Sequence, residues 1–157
     1  MAPRSMAGYP FGDLLALARQ SWIGEMARRL ARQGYADYRR SDAAATRLLL
    51  PGPVPVGRLG AALGVTRQAA RKVADGLQQR GFVTTARDPR DSRQVNVMLT
   101  PAGREYARSV VAVIGELNRE VRERVDPAQL AAADAVLRAV LFDDSARQRA
   151  GRLARPG

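Results

Sequence analysis

Apolar positions recur along this chain at two different periods, and the change of period divides it into elements. From Phe11, residues Leu14, Leu15, Ala18, Trp22, Met26 and Leu30 follow at steps of about three and four, which predicts an amphipathic helix closed near Gly34. A second helix is expected from Ser41 as N-cap to Leu50, where Pro51, Gly52, Pro53 and Pro55 stop it and leave an extended piece around Val54–Val56. Residues 56–83, VGRLGAALGVTRQAARKVADGLQQRGFV, then carry two short helical patterns. Leu59, Ala62 and Leu63 make one apolar face, Gly64 breaks it, and Thr66 can cap a helix whose inner face is Ala70, Val73, Ala74 and Leu77. Gly60 falls where two crossing helices need a small side chain, and Gly81 closes the unit as a helix-turn-helix.

The period then drops to two. FVTTA (82–86) and QVNVMLT (94–100) read as strands, with Val95, Val97 and Leu99 alternating against Gln94, Asn96 and Met98. A helix-turn-helix followed by such a hairpin is a winged helix. Thr100–Pro101 next opens a helix of roughly six or seven turns marked by Tyr106, Val110, Val113, Leu117, Val121 and Val125. Asp126–Pro127 opens another, with Gln129 placed for a capping box and Leu130, Ala133, Leu137, Val140 and Leu141 as its stripe. The expected organisation is a flexible arm over 1–10, a first helix over 11–34, a winged helix-turn-helix lobe over 41–100, two helices over 101–142 and a fraying basic tail over 143–157. The fold class is mainly α with a small β-hairpin wing.

Charge sharpens this outline. The chain holds 26 Lys and Arg against 15 Asp and Glu, a net +11. Such a surplus fits an anionic partner, of which nucleic acid is the most frequent, but an Ala- and Arg-rich composition also follows from GC-rich coding. The hairpin gives the charge a location: Arg87, Asp88, Arg90, Asp91 and Arg93 fall within seven positions, and a turn needs none of those arginines for its backbone. The chain has no cysteine and no histidine. Disulfides, thiol redox switches, thiolate or imidazole metal sites and the commonest general base are therefore excluded, and no metal or cofactor is expected. No P-loop, dinucleotide fingerprint or nucleophile elbow appears, which argues against an enzyme. No apolar run approaches the ~20 residues of a membrane helix, so the expectation is a cytoplasmic protein.

Over about residues 11–142, and most specifically over GVTRQAARKVADGLQQRGFVTTARDPRDSRQVNVMLTPAGRE, the sequence resembles the MarR (multiple antibiotic resistance regulator) family of bacterial transcription factors. The family's Asp-x-Arg-Asp-x-Arg wing signature stands here as Asp88, Pro89, Arg90, Asp91, Ser92 and Arg93, and LTPAG leads into the long helix. The resemblance implies a homodimer whose first and last helices interlace. The apolar stripes agree independently, since they exceed what one small lobe covers, although folding back on their own domain would also hide them.

On a helix starting at Thr66, residues Arg67, Gln68, Arg71 and Lys72 lie outside the apolar stripe near the end that enters a major groove. Arginine can bond guanine and glutamine adenine in a bidentate way, while Thr66 and the first helical amides can hold a phosphate. A hairpin tip can instead place an arginine in the minor groove, which it reads by width. The resemblance implies that one of Arg90 and Arg93 enters that groove while an Asp pairs with the other, with Asp91 holding an arginine and Asp88 capping the turn. The sequence does not distinguish the two arginines, and Arg87 is assigned to a flanking phosphate or water. The implied partner is double-stranded DNA with a near-palindromic operator, its half-sites about one turn apart, ~34 Å. The family also implies, for many members, release by a small aromatic or phenolic effector. Trp22, Met26, Tyr35 and Tyr38 are the candidate pocket residues, and core or dimer seam is their alternative role. Two other readings stay open: a protein-interaction module on a degenerate winged helix, and an architectural DNA binder without a ligand switch.

Overall fold

The structure, a computed structural model, describes residues 10–153. The expected N-terminal arm lies outside the described residues except for Pro10. The chain divides into two compact units, one ending at Tyr38 and one beginning at Arg39.

The first unit is a single long helix, α1 (Phe11–Arg32). Its end is set by Gly34, whose φ of +93° is open to glycine at little cost. With Gly34 turned this way, the amide of Tyr35 reaches the Leu30 carbonyl at 2.9 Å and that of Gly34 reaches Ala31 at 3.0 Å, a Schellman closure. Met26 and Leu30 are its buried side chains, whereas Leu14, Leu15 and Leu17 are exposed.

The second unit begins with α2 (Arg40–Leu48). The N-cap expected at Ser41 is corrected by two residues. Extended Arg39 is the N-cap, its carbonyl takes the amides of Asp42 and Ala43, and Ser41 falls inside the first turn. There follow β1 (Val54–Pro55), α3 (Val56–Leu63), α4 (Arg67–Gln79), β2 (Val83–Arg87), β3 (Val95–Leu99), α5 (Pro101–Arg124), α6 (Pro127–Ala139) and α7 (Asp144–Leu153). The extended piece after α2 proves to be a third strand. The sheet is antiparallel in the order β1-β3-β2, with Val54 opposite Val97 and Val83 opposite Leu99. A proline is tolerated in β1 because that strand is an edge.

Leu49, Val56, Leu59, Ala70, Ala74, Leu77, Val83 and Val97 form the core of this lobe. α3 and α4 approach closely at Gly60, where a Cβ would stand 3.2 Å from the Val65 carbonyl and 3.3 Å from the Ala70 methyl. Gly64 then turns the chain at φ +71°. Gly81 does the same after α4, and Phe82 closes that helix by donating its amide to Leu77 at 2.9 Å. Thr100 joins wing to α5: its hydroxyl donates to the Gly81 carbonyl at 2.6 Å and accepts the Gly103 amide at 3.0 Å. α5 buries Tyr106, Val110, Val113 and Leu117, but α6 buries nothing. Of the tail expected over 143–157, residues 144–153 form a helix, which Asp143 caps by accepting the Ala146 amide at 2.7 Å, and residues 154–157 lie outside the described residues. That bond is the main cause holding the Asp143 carboxyl below its ordinary pKa. Among the described residues no helix is long and apolar enough to cross a membrane.

Candidate nucleic-acid interface

α4 is held by its apolar side and presents its charged side. Thr66 caps it, with its hydroxyl accepting the Ala69 amide at 3.1 Å. Ala70, Ala74 and Leu77 are buried, so the 3.6-residue period turns Arg67, Gln68, Arg71 and Lys72 outward, and all four are exposed. They are not equivalent. Arg71 lies 3.3 Å from the Asp75 carboxylate one turn on. Arg67 donates to the Arg93 carbonyl at 3.4 Å, bridging the recognition helix to the wing loop just before β3.

The wing is the β2–β3 hairpin, paired as far as Arg87 opposite Val95, with residues 88–94 as its tip. Both aspartates of the signature shape backbone. Asp88 accepts the Arg90 amide at 2.8 Å and the Asn96 side-chain amide at 3.0 Å. Asp91 repeats the motif, accepting the Arg93 amide at 3.0 Å and the Gln94 side chain at 3.1 Å. Two consecutive Asx turns result, closed by backbone bonds from Asp88 to Gln94 and from Gln94 to Asp91, each 2.9 Å. The Arg90 amide is the chief cause holding the Asp88 carboxyl below its ordinary pKa, followed by Asn96. Asp88 thus bonds a backbone amide within the tip and a side chain of β3. Asp91 does not hold an arginine side chain in this structure; its oxygens go to an amide and to Gln94. The guanidiniums of Arg87, Arg90 and Arg93 stand on exposed residues, and none has a carboxylate within ion-pair distance among the described residues.

Three contributors were not singled out from sequence. Asn96 and Gln94 looked like the outward positions of an alternating strand, yet their amides fasten the wing's two aspartates. Arg58, exposed on the first turn of α3, shares a cavity of about 180 Å³ with Arg67 and Gln94. No periodicity marks such residues, because the fold brings them together across three elements. Of the candidate pocket residues, Trp22 and Met26 are on α1, and Tyr35 and Tyr38 are in the segment after it. Met26 is buried and the other three are half-buried. Among the described residues no cluster of three or more Asp or Glu is arranged to hold a metal ion.

Residues 48–94, the end of α2 through the wing tip, match the model of the MarR family. No curated protein sequence matches the chain. Among solved structures, a probable transcriptional regulator from Pseudomonas aeruginosa is 25% identical, with 84% of this chain and 97% of that one aligned at a TM-score of 0.70. A mutant MarR from E. coli complexed with operator DNA is 22% identical, covering 84% of this chain and 94% of that one at 0.71. The PcaV transcriptional regulator from Streptomyces coelicolor, in complex with its natural ligand, is 21% identical, covering 89% and 96% at 0.69.

Proposed function

From the premise that the winged-helix core of this chain is of the MarR family, we propose that the protein is a homodimeric, sequence-specific DNA-binding regulator of transcription, acting as a cytoplasmic repressor and not as an enzyme. The observation that carries this reading is the link from Arg67 to the wing. It supports the reading by tying the outward face of α4 to an arginine-bearing tip, an arrangement that suits a major groove and the adjacent minor groove. Gln68, Arg71 and Lys72 read the major groove and its edges, the Thr66 hydroxyl hydrogen is left to donate to a phosphate, and Arg90 or Arg93 enters the minor groove.

Dimerisation rests on apolar surface. Val121 at the end of α5, Leu130, Val136 and Leu137 on α6, and Phe142 after it are exposed, Phe142 by 83%. Leu14, Leu15 and Leu17 add a stripe on α1. Surface of this extent is usually covered by a partner, and a second copy would set two recognition helices about one DNA turn apart, ~34 Å. Trp22, Met26, Tyr35 and Tyr38 line the site for a small aromatic or phenolic effector, in keeping with a ligand-bound relative such as PcaV. Selection of bound fragments from random DNA by the purified protein tests the core of the proposal. An inverted repeat is expected. Sequence-blind enrichment would overturn it in favour of an architectural DNA binder, and no enrichment would remove DNA altogether.

A further inference from the structure

The cavity where the wing loop enters β3 has a chemistry that base reading does not use. It is lined by apolar Val56 and Val95 together with Arg58, Arg67 and Gln94. A neighbouring cavity of about 390 Å³ shares Val56, Arg67 and Val95 and extends past Gln68 to Arg71. No acidic residue lines either one. Among the described residues, neither Arg58 nor Arg67 has a carboxylate within ion-pair distance, although many arginines of this chain do. Uncompensated guanidiniums converging on an open, partly apolar cleft favour an anion with several acceptor oxygens.

Position identifies the anion. In a duplex, a major groove and the neighbouring minor groove are separated by one sugar–phosphate strand. If α4 enters the first and the wing tip the second, that strand must cross the space between the start of α4 and the junction of the tip with β3, where this cleft lies. We propose that the cleft is a phosphodiester seat for the strand dividing the two grooves. Arg58 supplies the charge there, and Arg67, tied to the Arg93 carbonyl, serves as both phosphate ligand and brace between helix and wing. Arg67 is thereby reassigned from reading bases to setting the register of the two reading elements. The inference rests on the DNA-binding reading above and deepens it.

The test uses the full chain and the inverted repeat recovered by selection. Arg58→Gln, an exposed substitution on α3, is expected to weaken binding about five- to tenfold on operator and on unrelated duplex alike, and to reduce the log–log salt slope by about 0.9 per bound subunit. A set of duplexes, each with one neutral methylphosphonate, then locates the contact. The penalty of Arg58→Gln is expected to vanish on a single such duplex per half-site and to persist on the others. Arg67→Ala is expected to lose minor-groove protection by the wing while guanine N7 protection in the major groove persists, a split that a general loss of folding would not give. Arg58→Gln binding like the wild type at all salt concentrations, or an equal penalty on every methylphosphonate duplex, would overturn the seat and leave DNA binding standing. Wild-type protein that binds no duplex would remove both readings. Inorganic phosphate that raises the melting temperature of the wild type but not of Arg58→Gln, with the DNA salt slope unchanged between them, would assign the cleft to a free anion instead.

Discussion

The carboxylate of Asp42, in the first turn of α2, is paired with the guanidinium of Arg80, the C-cap of α4. Asp42 is only 4% exposed. The same guanidinium lies 5.1 Å from the centre of the Phe82 ring, and Phe82 stacks on Tyr106 at 4.7 Å with the rings 3° from parallel. One chain of contacts thus joins α2, the end of the recognition helix, the root of the wing and α5.

Removing one member of that pair leaves a charge without its partner in a poorly hydrated place. Asp42→Ala is expected to cost roughly 2–3 kcal/mol in urea unfolding, less than a fully buried pair because the Arg80 side chain keeps 21% of its exposure. Combining it with Arg80→Met should restore more than half of the loss, since no orphaned charge remains. A single variant within about 0.5 kcal/mol of wild type would show that the pair does not hold the helix end.

Gly103 makes a second such joint, this time through backbone. A Cβ at this position would stand 1.8 Å from the Phe82 carbonyl oxygen, and neither atom belongs to a flexible side chain. Gly103→Ala must therefore separate α5 from the root of the wing and is expected to cost about 3 kcal/mol or more in stability. Gly76→Ala is the control. It lies inside α4 with nothing within 4 Å of the added methyl and should gain about 0.5–1 kcal/mol from helix propensity. Equal effects from the two substitutions would mean that the close approach at Gly103 is unimportant.

These joints mark the boundary of what the sequence could reveal. The helices, hairpin and turn glycines were legible because each depends on local period and local φ, and Gly60 was legible from its spacing to Gly64. β1 was visible only as an extended piece, since two residues carry no period and its pairing with Val97 is a long-range fact. The helix over 144–153 has few apolar residues to set a period among its arginines, and its one local signal is the cap at Asp143. Within the site, exposure of Arg67, Gln68, Arg71 and Lys72 followed from the inner stripe. The turn of Arg67 toward the wing, and its convergence with Arg58 and Gln94, depend on how three elements pack. The resemblance implies an arginine side chain as the partner of Asp91, but in a seven-residue tip the nearest donors are the Arg93 amide and the Gln94 side chain.

That last point sets the pH response of the wing. The amide of Arg90 and the side chain of Asn96 hold the Asp88 carboxyl below its ordinary pKa. A depressed folded value means that ionised Asp88 stabilises the tip at every pH above the ordinary aspartate range, and that the contribution fades as pH falls through the lowered value. NMR titration should show the Arg90 and Asn96 N–H signals moving together in strong acid, below the range of an ordinary aspartate. At neutral pH, Asp88→Ala should speed trypsin cleavage after Arg87 and Arg90 without lowering the global melting temperature by more than a degree or two. Cleavage at the wild-type rate would mean that the tip is ordered by something else.

α6 buries none of its residues within the chain, although Leu130, Val136 and Leu137 give it an apolar surface. If a second copy covers that surface, Leu137→Glu together with Val136→Glu should yield monomers in sedimentation at micromolar concentration, with the helical signal largely retained. Operator binding should fall with it, because a lone lobe loses the gain from engaging two half-sites. A variant that still sediments as a dimer would move the interface to other helices.

The wing arginines give the most direct functional prediction. Among the described residues their guanidiniums have no carboxylate within ion-pair distance, while the backbone beneath them is fixed by the two Asx turns. Arg90→Ala with Arg93→Ala therefore removes charge from the tip without disturbing the bonds that shape it. Tight operator binding should be lost in a gel shift, with the dimer and the melting temperature unchanged. The single variants separate the roles. The arginine that enters the minor groove should lose more affinity on half-sites flanked by A·T steps, where that groove is narrow and most negative, than on G·C-flanked ones. An arginine that only meets a phosphate should cost the same on both and lower the salt slope by about 0.9 per subunit. Unchanged operator affinity in the double variant would remove the wing from the interface and leave α4 to account for recognition alone.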